Sequence, residues 1–258
     1  MQKSFAATLA LNPLNADPEL VGREIRNNLE QAGIRERRCV VCVPLSWALT
    51  LQIPLPDLPE ADVAGFLEIE AERSFAYGPE ALSLATSRCR PLNSVQHAML
   101  IGIPRNHLQQ LETVLKAAQL RPISFSLGVT ALQSPERESS NGVLALAVGE
   151  NTIDLQVTNH GGLAALRSLE DAIETEGGQK RLHADLLARE IRVTLGQLPE
   201  ELRSTVRKVR VFGQGEAMPQ FVQDLGPRLE QMGLKVEWIR TYPPDEFRSK
   251  PPPDTAVS

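Results

Sequence analysis

Three cysteines and four histidines are the side chains of this 258-residue chain best suited to hold a metal or attack a substrate. Cys39-Val-Val-Cys42 has the spacing of half a zinc or redox site. It lies in a β-branched run, however, where residues three apart face opposite sides of a strand. No second pair accompanies it. With Cys89 the count is odd, so no oxidised framework follows and buried structural thiols are expected. His97, His107, His160 and His183 are scattered, and each reads as a surface or turn residue rather than as part of a triad or metal site. The chain contains no G-x-S-x-G elbow, no Walker lysine loop and no H-E-x-x-H pair. No catalytic residue and no metal ligand is expected.

Charge narrows the choice further. A formal net charge of −5 gives no electrostatic reason to bind the phosphate backbone of nucleic acid. The longest apolar runs, CVVCV and VLALAV, are strand length and too short to span a bilayer. MQKSFAATLALNPLNADPEL lacks the compact apolar core and cleavage site of a signal peptide. A cytoplasmic location is expected, with membrane contact only through a partner.

The elements that must position any site follow from periodicity. Pro18 to Gly33 reads as a helix with Val21, Ile25 and Leu29 on one stripe, and Arg38 to Pro44 as a fully buried strand. Leu49 to Leu55 alternates and opens a second, antiparallel sheet. Asp57, Pro59, Glu60 and Asp62 mark a helix start, Val63, Phe66, Leu67 and Ala71 its packed face, and Tyr77-Gly78-Pro79 its stop. Strands near 82–88 and 97–103, a helix over 105–119 and the strand ISFSL complete the first half. The polar stretch 134–142 is the best domain boundary. Beyond it, 143–148, 152–158 and 163–169 form a three-strand meander. It is followed by a helix over 185–195, a strand over 206–212, a helix over 219–232 and a last strand over 236–239. No repeat of fixed period is visible. The division is 1–135, with a core of 1–49 and 118–135 and an inserted subdomain of about 50–117, then 140–242, then a disordered Pro-rich tail over 243–258.

This order, with several local strings, resembles PilM, the actin-like cytoplasmic component of type IV pilus assembly. The strings are VVCVP, IPLPDLP, the acidic helix ending IEAERSFAYGP, and LIGIPRNHLQQLETVLKAAQLRP, in which Gln119 stands at the family's usual glycine. LLAREIRVTL and VRVFGQGEAMPQF resemble the second half of the family. The likeness runs over roughly residues 20 to 240, and the cytoplasmic part of type II secretion protein L is a related scaffold. It implies an α/β (α+β) architecture, an actin-like, ribonuclease H-like two-domain fold with an inserted subdomain. It also implies a PilN-like single-pass membrane partner whose short cytoplasmic peptide binds beside the inserted subdomain. Arg73, Phe75 and Tyr77, at the end of the acidic helix, are the candidate partner-binding residues. Dimers and rings are both compatible with the sequence.

The departures concern nucleotide. Actin-like ATPases open with a Gly-rich phosphate hairpin, and nothing of that kind precedes residue 20, so the first sheet is expected to lack its opening strands. The second phosphate hairpin reads Ala147-Val148-Gly149-Glu150-Asn151-Thr152: alanine replaces the acid, and Glu150 sets a carboxylate where a phosphate would approach. The adenine-side glycine pair survives as Gly213-Gln214-Gly215, a string that a plain strand-to-helix turn also explains. No cofactor is expected. ATP with Mg²⁺ remains the alternative, as a nucleotide-binding or weakly hydrolysing member of the same superfold, because hydrolysis needs carboxylates near the phosphates.

Overall fold

A computed structural model describes residues 5–90, 95–132, 141–176 and 179–240. The proline-rich tail from 243 lies outside the described residues, as does most of the polar stretch at 134–142. The chain forms two compact units, one of Met1–Leu51, Ala61–Ala85 and Leu100–Gly128, the other of Gln52–Glu60, Thr86–Met99 and Val129–Ser258. The segment 50–117 is thus divided between them.

The first unit opens with α1 (Pro18–Gln31). Asp17 caps it by accepting the amides of Glu19 and Leu20, Pro18 fits the first turn, and Gly33 at φ 66° closes it. β1 (Arg38–Val43) follows and pairs in parallel with β5 (Arg121–Leu127), Val43 opposite Leu127. These two form a two-stranded sheet. β1 is therefore not the fully buried strand its composition predicts: Val43 is buried, but Val40 is 55% exposed and Cys42 is exposed. Continuous apolar character predicts burial on both faces only where both faces of the sheet are covered, and here the face carrying Arg38, Val40 and Cys42 is exposed. Cys39 is half-buried, so the two thiols face opposite ways as their spacing requires.

α3 (Arg105–Ala117) packs on β5 and against α1. The helices meet so closely that a Cβ on Gly22 would lie 2.7 Å from both the Ala117 Cβ and the Ala118 nitrogen. Gln119 closes α3 at φ 59°, with its amide on the Lys116 carbonyl and that of Leu120 on the Leu115 carbonyl. This is a left-handed helix stop that glycine would adopt without steric cost.

Between β1 and α3 lie β2 (Leu49–Leu55), α2 (Glu60–Ser74), β3 (Leu82–Cys89) and β4 (Gln96–Pro104). The sheet order is β2-β4-β3. Its middle strand is buried without a break from His97 to Gly102. α2 buries Val63, Leu67 and Ala71, the stripe its spacing predicts.

The second unit holds a five-stranded sheet, order β12-β11-β6-β7-β8, of β6 (Val143–Val148), β7 (Ile153–Asn159), β8 (Gly162–Leu169), β11 (Lys208–Phe212) and β12 (Lys235–Ile239). β6, β11 and β12 are parallel, and β7 and β8 complete an antiparallel meander. His160 and Gly161, at φ 44° and 76°, make the tight turn between β7 and β8. Leu144, Leu146, Leu155, Val209 and Val211 form one buried face of the sheet. Against this core pack Leu187 and Ile191 of α4 (Ala184–Gln197) and Phe221, Leu225 and Leu229 of α6 (Met218–Glu230). A short hairpin, β9 (Ile173–Glu176) and β10 (Gln179–Leu182), and a one-turn helix, α5 (Glu200–Arg203), lie outside the predicted elements. Ser87, Arg88 and Cys89 belong to this unit as well. The Leu163 amide donates to Ser87 Oγ at 2.9 Å, and a Cβ on Gly162 would collide with the Arg88 carbonyl.

Two substitutions of opposite sign test this packing. Gly22→Ala drives a methyl into backbone at the α1–α3 crossing and should cost about 1–3 kcal/mol. Gln119→Gly relieves a left-handed residue and should gain about 1 kcal/mol, less what the looser unfolded chain takes back. Urea unfolding followed by circular dichroism reads both.

Candidate functional site

The seven residues of the predicted nucleotide-site remnant come together in the second unit. β6 and β11 are parallel neighbours with Ala147 opposite Phe212, so the turn after β6 and the glycines after β11 leave the same end of the sheet. That end, beyond the carboxyl termini of parallel strands, is where open α/β sheets bind ligands. Gly213 lies so near β6 that an added Cβ would sit 2.9 Å from the Val148 Cβ and 3.0 Å from the Met218 sulfur. Gly215 has φ 121° and needs glycine for that reason alone.

The turn over Gly149, Glu150, Asn151 and Thr152 is closed on itself. The Gly149 amide donates to the Thr152 carbonyl at 2.9 Å, and a Cβ on Gly149 would stand 3.1 Å from that oxygen. None of the four residues has a positive φ. A phosphate-binding nest is built from successive free amides around a left-handed residue, and this turn has spent its first amide internally. Glu150 and Asn151 are exposed, which places the Glu150 carboxylate on the open side.

A second carboxylate is nearby. Asp154 pairs directly with Ala147 across the β6–β7 hairpin, so the acid missing from position 147 has a counterpart one strand over on the same face. It accepts a hydrogen bond from Ser168 Oγ at 2.7 Å. Burial pushes its carboxyl up from the ordinary value of 3.8, against the downward pull of that bond. Hairpin arithmetic reveals the pair, because a turn closed between 149 and 152 sets 147 against 154. Gln156 on the same face is fully buried, with neither amide atom paired.

The glycine pair has an aromatic neighbour that periodicity did not single out. Trp238 Nε1 donates to the Gly213 carbonyl at 3.3 Å, and the Arg240 guanidinium stacks 4.1 Å over the indole. Gln214 and Gly215 are exposed. Among the described residues no group of three or more His, Cys, Asp or Glu is placed to hold a metal ion.

The predicted partner-binding residues lie at the end of α2 in the first unit. Arg73 is exposed and paired with Glu70 one turn back at 3.1 Å, a contact of little energetic weight. Phe75 is half-buried and lies against β4, its ring 3.4 Å from where a Cβ on Gly102 would stand. Tyr77 is 45% exposed. Of the three, Phe75 packs, and Arg73 and Tyr77 are presented to solvent.

The histidines are less peripheral than their scatter suggests. His97 is only 5% exposed, and its Nε2 lies 3.1 Å from Glu201 Oε1, 104 residues away in sequence. Only tertiary structure could reveal that pair. His107 meets Trp47 edge to face at 5.2 Å. His160 is the left-handed turn residue, and His183 precedes α4 with Nε2 3.0 Å from Glu174. Cys89 is buried in the core of the second unit, which pushes its thiol up to about 12 and leaves it inert at neutral pH.

No protein-family model and no curated protein sequence matches the chain. Solved structures do. A PilM-PilN type IV pilus biogenesis complex is similar at 18% identity, over 91% of this chain and 79% of that one, with a TM-score of 0.67. The cytoplasmic domain of EpsL, an inner-membrane component of the type II secretion system of Vibrio cholerae, is similar at 15% identity over 81% and 80%, with a TM-score of 0.51. At these identities the likeness is one of fold. The chain has the actin-like α/β fold shared by these pilus and secretion proteins. Among the described residues no helix is long and apolar enough to cross a membrane.

Asp154 supplies a test of this site. Because its native pKa is raised, the folded chain keeps a proton that the unfolded chain releases. Its stabilising contribution is complete below pH 3.8 and is lost as the pH rises through the native value. Asp154→Asn keeps an acceptor for Ser168 without the charge. Its midpoint in urea should lie above that of the parent at about pH 7, with the gap closing on acidification to below the unfolded value.

Proposed function

We propose that the chain is a non-catalytic, actin-like scaffold of a type IV pilus, or a related secretion or competence, inner-membrane platform. In this reading it binds the short cytoplasmic peptide of a PilN-like single-pass membrane protein and reaches the membrane only through it. The observation that carries the reading is the fold likeness to the PilM-PilN complex over 91% of the chain. The closed turn at Gly149–Thr152 and the alanine at 147 support a scaffold over an ATPase, because in-line phosphoryl transfer needs free amides and carboxylates at the phosphates. A peptide docks on such a protein through apolar anchors in pockets, with polar contacts fixing orientation. Tyr77 and Arg73 are the exposed aromatic and cationic groups at the end of α2 suited to those two tasks.

Isothermal calorimetry tests the reading. The ligand is a synthetic peptide of the cytoplasmic N-terminus of the single-pass membrane protein encoded beside this gene. Saturable binding is expected, and Tyr77→Ala with Arg73→Glu should weaken it by about tenfold or more. Absence of heat, or indifference to both substitutions, removes the peptide reading at this surface. The nucleotide alternative is tested by thermal shift. A ligand present at 100 times its Kd stabilises by about 2.7 kcal/mol, which for a chain of this size raises Tm by roughly 5–10 °C. Millimolar Mg-ATP is expected to leave Tm unchanged.

A further inference from the structure

The two units repeat one pattern. In the second, α4, β11, α6 and β12 are a helix-strand-helix-strand run whose strands pair in parallel. In the first, α1, β1, α3 and β5 do the same around the interruption at β2–β4. They part at the connection from the first helix to the first strand. Between α4 and β11 that connection buries Leu198, Leu202 and Val206 in the core. Between α1 and β1 it reads Ala32-Gly33-Ile34-Arg35-Glu36-Arg37, and none of these residues is buried. In place of an apolar plug there is a cavity of about 460 Å³, whose lining residues all fall between Arg26 and Arg37.

Arg26, Arg35 and Arg37 line this cavity together with Glu30 and Glu36. Arg26 donates from Nη2 to the Ala117 carbonyl at 3.0 Å, which fixes it against the end of α3, and its buried Nε has no partner. A cation partly desolvated in this way is unfavourable without a counter-charge. The side chains of Arg35 and Arg37 are exposed and take part in no ion pair or hydrogen bond among the described residues. Glu36 does not neutralise them. Its carboxylate accepts from the backbone amides of Arg38 and Arg37, both at 3.1 Å, and those bonds hold its carboxyl below the ordinary value. Glu30 is the other acid of the wall, and it is exposed. Arg38 and Arg121 stand opposite each other at the start of β1 and β5, and the Arg121 amide donates to the Arg37 carbonyl at 2.7 Å, which brings that pair next to the cavity. The α1 carbonyls that would oppose an anion here are occupied. Those of Leu29 and Glu30 accept the amides of Ile34 and Gly33 at 2.8 and 2.9 Å. In a chain of net charge −5 this is a local cationic hollow.

We propose that this cavity binds a phosphate group, held by Arg26, Arg35 and Arg37. Guanidinium N–H donors match phosphate oxygens in pairs and stay charged at every physiological pH. A single carboxylate brings one charge and two oxygens, too few for three guanidinium groups. A phosphate monoester brings nearly two charges and three acceptor oxygens. A soluble phosphate compound and the headgroup of an anionic phospholipid carry this same chemistry. None of these residues belongs to the glycine turns or to the Arg73–Tyr77 end of α2, so the site does not depend on the scaffold reading.

The test uses the full chain and inorganic phosphate, exchanged against chloride at a fixed ionic strength of about 0.15 M. Calorimetry should show saturable binding with a Kd of about 1 mM or tighter, and the Nε–H resonances of Arg35 and Arg37 should shift along the same curve. Arg35→Gln with Arg37→Gln, both at exposed positions, should weaken binding by about tenfold or more while circular dichroism stays unchanged. Glu30→Gln should tighten it by about threefold, because a carboxylate leaves the wall. Tyr77→Ala with Arg73→Glu should leave it intact, which separates it from the peptide reading above. Sedimentation with phosphatidylcholine vesicles containing phosphatidic acid distinguishes the two sources. Retention that phosphate competes away assigns the group to a lipid headgroup, and any other result assigns it to a soluble phosphate compound. Absence of saturation up to about 20 mM phosphate, or binding indifferent to the paired arginine substitutions, overturns the proposal.

Discussion

A parallel strand has to satisfy hydrogen bonds along two edges and cover two faces, and the architecture of this chain turns on where that demand is met. In the second unit β11 lies between β6 and β12, so every backbone group along it has a neighbour. The helices α4 and α6 then bury Leu187, Ile191, Phe221 and Leu225 on one face. A fully buried leucine or isoleucine of this kind is worth roughly 1.5–3 kcal/mol, so this face carries much of the unit's stability. Because β6 and β11 are held in register, the turns that follow them are also fixed side by side. Their positions are consequences of strand pairing before they are features of any site.

The glycines of the two turns show the same distinction. Gly213 is small because Val148 and Met218 press on it, and Gly149 because the Thr152 carbonyl does. Both glycines have packing reasons to be glycine. The Gly149 amide is held by the Thr152 carbonyl, and the Asp154 carboxylate one strand over accepts from Ser168. The Trp238 ring closes on the Gly213 carbonyl from the other side.

Much of this was legible in the sequence, in proportion to how local the controlling physics is. Pro18 and Gly33 announce α1, and the Val63-Leu67-Ala71 stripe announces α2, because caps and periodicity act within a few residues. The closing residue of α3 was visible through likeness alone: Gln119 stood where glycine is usual, and it is left-handed. The exposure of Val40 was hidden, since an apolar run looks the same whether one face of its sheet is covered or both. The hydrogen-bond contact of His97 with Glu201 spans 104 residues and no spacing rule reaches that far. The repeated helix-strand-helix-strand pattern was also hidden, because β2–β4 interrupt one copy and no common sequence marks both.

The close approach of Gly162 to the Arg88 carbonyl bears on how the chain opens. Strand segments inserted into a fold are often separate cooperative units that fray well below the global unfolding free energy. Here Ser87 accepts the Leu163 amide, Cys89 is part of the main core, and Gly162 leaves no gap in which Arg88 could shift alone. Residues 86–89 are thereby packed onto β8, and opening them alone would break the Leu163–Ser87 hydrogen bond and uncover Cys89. The end of β3 is in this way tied to the meander.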